Sequence, residues 1–231
     1  MARTMNRFRN SNKNRPAYAG CALLMAAVLV MVFLIAYSAF TLFRQFNEIV
    51  KFTAEQPVRV EVSSLDNQET SLIRLAQSLE VFRQHLTDRE SATLDLTADE
   101  INLAIAAYEP MREFRGTLRV VRIEGGLLHM AIAFPLNGKP RLARRGEAGW
   151  ITSTPRYLNG SLVARPALLK GELVLELVSL EVPGTQIPRE FIGQMSPYRI
   201  CERYLSDPVI GPAMARITQV SIADGRLRIG N

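Results

Sequence analysis

His85, His129, Cys21, Cys201 and the adjacent acids Asp99 and Glu100 are the side chains here whose types carry the most chemistry. A Cys/His zinc centre takes four ligands at close, characteristic spacings. With Cys21 inside an apolar run and the remaining three residues scattered, the chain owns too few, and no metal or cofactor is expected. A Ser–His–Asp triad needs a histidine presented beside a nucleophile. His129 instead falls in a strand-like stretch, where a satisfied structural role is the simpler account. The chain has no G-x-S-x-G, no P-loop glycine pattern, no G-x-G-x-x-G and no H-E-x-x-H. Asp99 and Glu100 follow Thr97 in the order of a helix N-terminal capping box, which accounts for both acids without catalysis. The residues point away from an enzyme and towards binding. Leu173, Leu175 and Leu177 lie on one side of a strand, with Val174, Val178, Leu180 and Val182 on the other. Phe191 and Met195 belong to a greasy side of the short helices that follow. Leu173, Leu175, Leu177, Phe191 and Met195 are the candidate contacts for an apolar ligand. Arg141, Arg144 and Arg145 are the candidate contacts for anionic headgroups.

The elements that position these groups begin with an apolar run, Ala17–Phe43, preceded by Arg3, Arg7, Arg9, Lys13 and Arg15. A helix needs about 20 apolar residues to cross a bilayer. The one-sided basic flank keeps the N-terminus in the cytoplasm and sends the rest outward by the positive-inside rule. Removing those five bases from the chain's 28 Lys and Arg leaves 23 against 22 acids, so the excess positive charge belongs to the tail. That argues against nucleic acid as a partner, since a binding domain would carry its own basic patch. A cleaved signal peptide is the competing reading, because Ala36-Tyr37-Ser38 resembles a small-x-small site. The run is longer than the usual signal-peptide core of about 7–15 residues, which favours an uncleaved anchor in the cell (cytoplasmic, or inner) membrane.

The expected organisation is a cytoplasmic tail over 1–16, a transmembrane helix over 17–43, a juxtamembrane helical region over 44–90, and an exported α+β domain over 91–231 with a mostly antiparallel, curved sheet packed on helices. Val58, Val60 and Val62 alternate with Arg59 and Glu61, predicting a short strand. Leu72, Leu75, Leu79, Phe82 and Leu86 recur at 3-4 spacing, predicting a helix over 68–86 whose stripe packs on the core or, alternatively, on a second chain. A strand at Leu94–Leu96 leads into a capped helix ending near Tyr108. Two hairpins are expected, one around Gly125-Gly126 and one around Asp224-Gly225. Between them come a loop over Asn137–Trp150, a strand over Tyr157–Ala164 broken by Arg165-Pro166, and a long strand over Lys170–Val182. A proline-rich stretch of short helices follows, with Ser196 and Asp207 as candidate N-caps.

The Leu-Thr-x-x-Glu-Ile-Asn sequence at Leu96–Asn102, Asn-Gly-x-Leu at Asn159–Leu162 and Val-Pro-x-x-x-Ile-Pro at Val182–Pro188, behind a basic tail and one apolar span, together form a pattern. It resembles the YpmS-like family of uncharacterised single-pass bacterial membrane proteins. It is also loosely similar to exported domains of the tubular lipid-binding type, in which a curved sheet wraps a helix around an apolar channel. The resemblance implies no catalytic residues. The leading expectation is a membrane-tethered extracytoplasmic domain whose sheet, apolar on both faces around Leu173–Val182, holds a lipid or other apolar ligand against the short C-terminal helices. The alternative is a structural or assembly role, with the helices contacting another envelope protein.

Overall fold

The computed structural model describes residues 29–34, 36–38, 47–143, 146, 151–208 and 210–231, without the side chains of 137–142, 151 and 203. It divides into two compact units, Met1–Glu48 and Ile49–Asn231. Most of the expected anchor and the whole basic tail lie outside the described residues. Within the first unit, residues 29–34 and 36–38 are helical, and Leu29 to Leu34 and Tyr37 expose apolar side chains. Among the described residues no helix is long and apolar enough to cross a membrane.

The second unit is α+β, as expected, with antiparallel pairing throughout its strand ladders. Its elements run α1 (Glu69–Asp88), β1 (Thr93–Leu96), α2 (Ala98–Ala107), a 3-10 helix (Glu109–Phe114), β2 (Leu118–Glu124), β3 (Leu127–Leu142), β4 (Ile151–Leu169) and β5 (Glu172–Glu181). Then come α3 (Arg189–Met195), a 3-10 turn (Glu202–Tyr204), α4 (Gly211–Met214), β6 (Gln219–Ala223) and β7 (Arg226–Gly230). The expected single sheet is two: β2-β3-β4-β5 and β1-β7-β6. The second arises because the final hairpin folds back beside β1, setting Asp95 opposite Arg228 and Leu96 opposite Leu227.

Several expectations need correction. The segment 58–62 is not a strand. Only Val60 is buried, while Val58 and Val62 are exposed. Its backbone is held by a side chain instead: Val58 N–H donates to Asn159 Oδ1 at 3.0 Å, and Asn159 Nδ2 donates to the Gln56 carbonyl at 2.9 Å. Farther along this strap Arg119 meets Glu61 at 2.6 Å, and Ala54 bridges Tyr157. The expected loop over Asn137–Trp150 begins as strand, since β3 continues to Leu142 and β4 resumes at Ile151. Nor does Arg165-Pro166 break β4.

Proline is tolerated in these long strands because each one sits where the strand has a single neighbour. Pro135, Pro140 and Pro155 lie in the part of the β3–β4 ladder beyond both β2 and β5. Pro166 lies beyond the last β3–β4 pair and faces Leu175 of β5. The missing N–H therefore deprives no ladder of a bond.

The stripe of α1 turns towards its own domain: Leu75 and Leu86 are buried, and Phe82 packs against the core. The helix ends at Arg89, which adopts the left-handed conformation of a C-terminal cap. The capping box on α2 forms as expected. Glu100 N–H donates to Thr97 Oγ1 at 3.2 Å, and Thr97 N–H donates to Glu100 Oε2 at 2.8 Å. Neither proposed cap later in the chain starts a regular helix in the simple way. Ser196 closes α3 and its Oγ accepts from Leu177 N–H at 3.0 Å. Asp207 Oδ1 accepts from Ile210 N–H at 2.9 Å in the turn before α4.

Candidate ligand-binding cavity

The two sheets do not close fully on one another. Between them lies a cavity of about 400 Å³ whose wall is apolar throughout. Its position follows from the amphipathic patterns of the elements. The α2 face Ile101, Ala104, Ile105 and Tyr108 forms one side, gathered by 3-4 spacing. Leu118 and Val120 of β2 with Leu128 and Met130 of β3 form the floor on the first sheet, and Leu94, Leu96, Leu227 and Ile229 enter from the second. Leu79 of α1 closes part of the rim. Such a volume falls within the usual range for small-molecule sites, ~300–1,000 Å³.

Of the five residues expected to touch an apolar ligand, Leu173 and Leu175 line this cavity, on the inward pleat of β5. Leu177, Phe191 and Met195 do not. They pack against the main core, Phe191 against Phe52 with ring centroids 4.7 Å apart. The chain after α3 runs along the edge of β5: Tyr198 bridges Leu175, and Ser196 Oγ accepts from Leu177 N–H. Arg141 lies on β3 with its side chain outside the described residues, and Arg144 and Arg145 are outside them altogether. His85 and His129 are both half-buried, the first in α1 with Nε2 3.8 Å from Glu90, the second in β3 opposite Val163. Among the described residues no three His, Cys, Asp or Glu side chains gather as a metal site would require.

The electrostatics at the β5 end of the cavity are set by one acid. Glu172 is buried at the start of β5, and its Oε2 accepts from Arg199 Nε at 2.9 Å and Nη2 at 2.5 Å, while Oε1 has no hydrogen-bond partner among the described residues. Cys201, on the cavity wall, has its thiol pushed up to about 11 by burial, with the Glu172 charge adding to the effect. Burial likewise raises the Tyr108 phenol.

A second concavity, of about 1140 Å³, runs under the strap. Arg59, Glu61, Arg119 and Glu181 line it together with Val58, Val121, Leu180 and Ile187, so it is a wide groove of mixed apolar and charged character. The smaller cavity is the one with the chemistry of an apolar binding site. Fold and cavity together define the class as an α+β domain whose two antiparallel sheets and helices line a partly open apolar cavity. No family model matches the chain, and no curated protein or solved structure compared with it is significantly similar.

Proposed function

We propose that this protein is a membrane-anchored, extracytoplasmic, non-catalytic binding protein that holds a lipid or another apolar ligand in the chamber between its sheets. The observation that carries the reading is the cavity of about 400 Å³ with a wholly apolar wall. Natural interiors pack to crystal-like density with few voids larger than a water. A void this size loses dispersion contacts all along its lining, and an occupant that restores them stabilises the fold. The span Ala17–Phe43 and its basic flank support the tether, and Arg141, Arg144 and Arg145 support contact with anionic headgroups. An assembly role through the α1 stripe is less favoured, since Leu75 and Leu86 of that stripe are buried within the domain.

The test is lipid analysis of the full chain purified from membranes, by organic extraction and mass spectrometry, against an unrelated single-span protein handled identically. The expected result is a lipid species enriched to about one per chain. Annular lipid alone, in the proportions of the control, would overturn the reading.

A further inference from the structure

The strap over 56–63 leaves part of its own backbone without a partner. Its ends are fixed: Val58 N–H and the Gln56 carbonyl both meet the Asn159 side chain on β4, and Glu61 meets Arg119 on β2 at 2.6 Å. β2 and β4 stand on either side of β3, about 10 Å apart at the usual strand spacing. The few residues from Val58 to Glu61 cover that distance only when the chain is nearly extended. Yet no backbone N–H or carbonyl from Arg59 to Ser63 has a hydrogen-bond partner among the described residues. An extended segment with open donors and acceptors is a template for another strand.

Alternation decides which edge is open. Gln56 and Val58 turn their polar groups towards Asn159, so Arg59 and Glu61 turn theirs to the opposite edge. Side chains alternate likewise. Val60 is buried, while Val58 and Val62, on the same face, are 61% and 46% exposed. Arg59 and Glu61 are exposed on the other face. Arg59 has no acidic partner among the described residues, and Glu61 gives Arg119 its Oε2 alone.

The segment Val58-Arg59-Val60-Glu61-Val62 is self-complementary about Val60. Laid antiparallel on a second copy across a two-fold axis, Arg59 stands opposite the second copy's Glu61, and Glu61 opposite its Arg59. These are the hydrogen-bonded pairs, and they use the open edge. Val58 falls opposite the second copy's Val62, so each exposed valine covers another. Opposite charges and apolar pairs both favour this register, whereas a parallel register would set like charges side by side.

We propose that the strap is a self-association surface: two copies of this chain pair antiparallel through residues 58–62, with Arg59 of each against Glu61 of the other. A standard interface uses about 20–30 residues a side. This one is far smaller, so the pairing is weak and covalent capture suits it.

The experiment co-expresses two differently tagged copies of the full chain in a Cys21→Ser background, one with Val58→Cys and the other with Val62→Cys. In the proposed register these exposed positions face each other at ~4.5 Å between Cα atoms, within reach of a disulfide. Oxidation with copper phenanthroline is expected to link the two tags, and to link two Val58→Cys copies several-fold less. Adding Arg59→Glu to both copies is expected to lower the yield several-fold by setting acid against acid. Arg59→Glu in one copy with Glu61→Arg in the other restores opposite charges across the axis and is expected to recover the yield, which misfolding of either variant would not allow. No linked dimer, equal linkage in both registers, or indifference to the charges would each overturn the inference. The apolar-ligand reading would stand in every case.

Discussion

The side chain of Asn102 occupies the place of a missing strand beside Val120. Its Nδ2 donates to the Val120 carbonyl at 2.7 Å and its Oδ1 accepts from the Val120 N–H at 2.8 Å. β2 is the edge of its sheet, so Val120 would otherwise present an unpaired donor and acceptor, and there both residues are buried. The pair fastens α2, and hence one wall of the chamber, onto β2. Asn102→Ala leaves two buried backbone groups unsatisfied and is expected to destabilise the domain by about 2–4 kcal/mol, less a few tenths regained from better helix propensity. Asn102→Leu should cost nearly as much although it restores volume. Urea unfolding of the full chain in nanodiscs measures both, and a Leu variant close to wild type would show that packing, not the bonds, matters there.

Asp95 and Arg228 form a two-point pair directly across β1 and β7, with Nε to Oδ1 at 2.7 Å and Nη2 to Oδ2 at 3.0 Å. The Arg228 hydrogen bonds hold the Asp95 carboxyl below its ordinary range. The unfolded chain then binds the proton at higher pH than the folded one, ~3.9 for a free Asp. The stabilisation is therefore complete above that value and is lost as pH falls through the lower folded value. Both side chains are about one-third exposed, and solvent screening limits the effect to the order of 0.5–1 kcal/mol. Asp95→Asn should lower the melting temperature slightly at pH 7, and by progressively less as the pH falls below that of a free Asp. A deficit that stayed constant as the pH fell would mean the pair contributes through shape rather than charge.

Cys201 offers a direct report on the chamber. An ordinary thiol titrates near 8.5, whereas this one is pushed up to about 11 by burial and, secondarily, by Glu172. Since the thiolate is the nucleophile, alkylation by iodoacetamide in a Cys21→Ser background should be slow at pH 8. It should keep accelerating with pH well past 9, where a free thiol has levelled off. An apolar occupant of the cavity is expected to slow it further, because Cys201 lies on the wall. A rate at pH 8 matching that of free cysteine would place the thiol in open solvent.

Local periodicity carried most of the fold. The α1 stripe, the Thr97–Glu100 cap, the Gly125-Gly126 turn and the closing hairpin are each fixed by residues within a few positions of one another. Failures came where a partner distant in sequence decides. Whether Pro166 breaks a strand depends on where β3 begins, and whether Val58 pairs in a ladder depends on Asn159, far along the chain. The chamber was half legible for the same reason. Leu173 and Leu175 were recognisable as inward-facing, but Ile105, Met130 and Ile229 show the same alternation or spacing as any core residue. Periodicity marks the buried face of an element and is silent on whether the opposing elements meet.

Gly160 shows how one such distant contact can reverse the sign of a familiar substitution. Glycine inside a strand is ordinarily a weakness, and alanine an improvement. Here a Cβ on Gly160 would lie 2.0 Å from the Glu181 carbonyl oxygen, closer than any real contact, and the neighbouring atoms are backbone. The β4–β5 ladder ends one residue on, at Ser161 opposite Glu181, so the carbonyl crosses over Gly160 as the chain leaves the sheet. Gly160→Ala must push that exit apart and is expected to destabilise by about 1–3 kcal/mol, the range for forced overpacking. Gly193, in α3, has open space within 4 Å of where a Cβ would stand, and Gly193→Ala should stabilise by about 0.5–1 kcal/mol through helix propensity. The two variants, unfolded side by side in urea, are predicted to move in opposite directions. If Gly160→Ala matched or exceeded wild type, the close crossing of Glu181 over β4, and with it the path of the chain into the 182–187 turn, would be wrong.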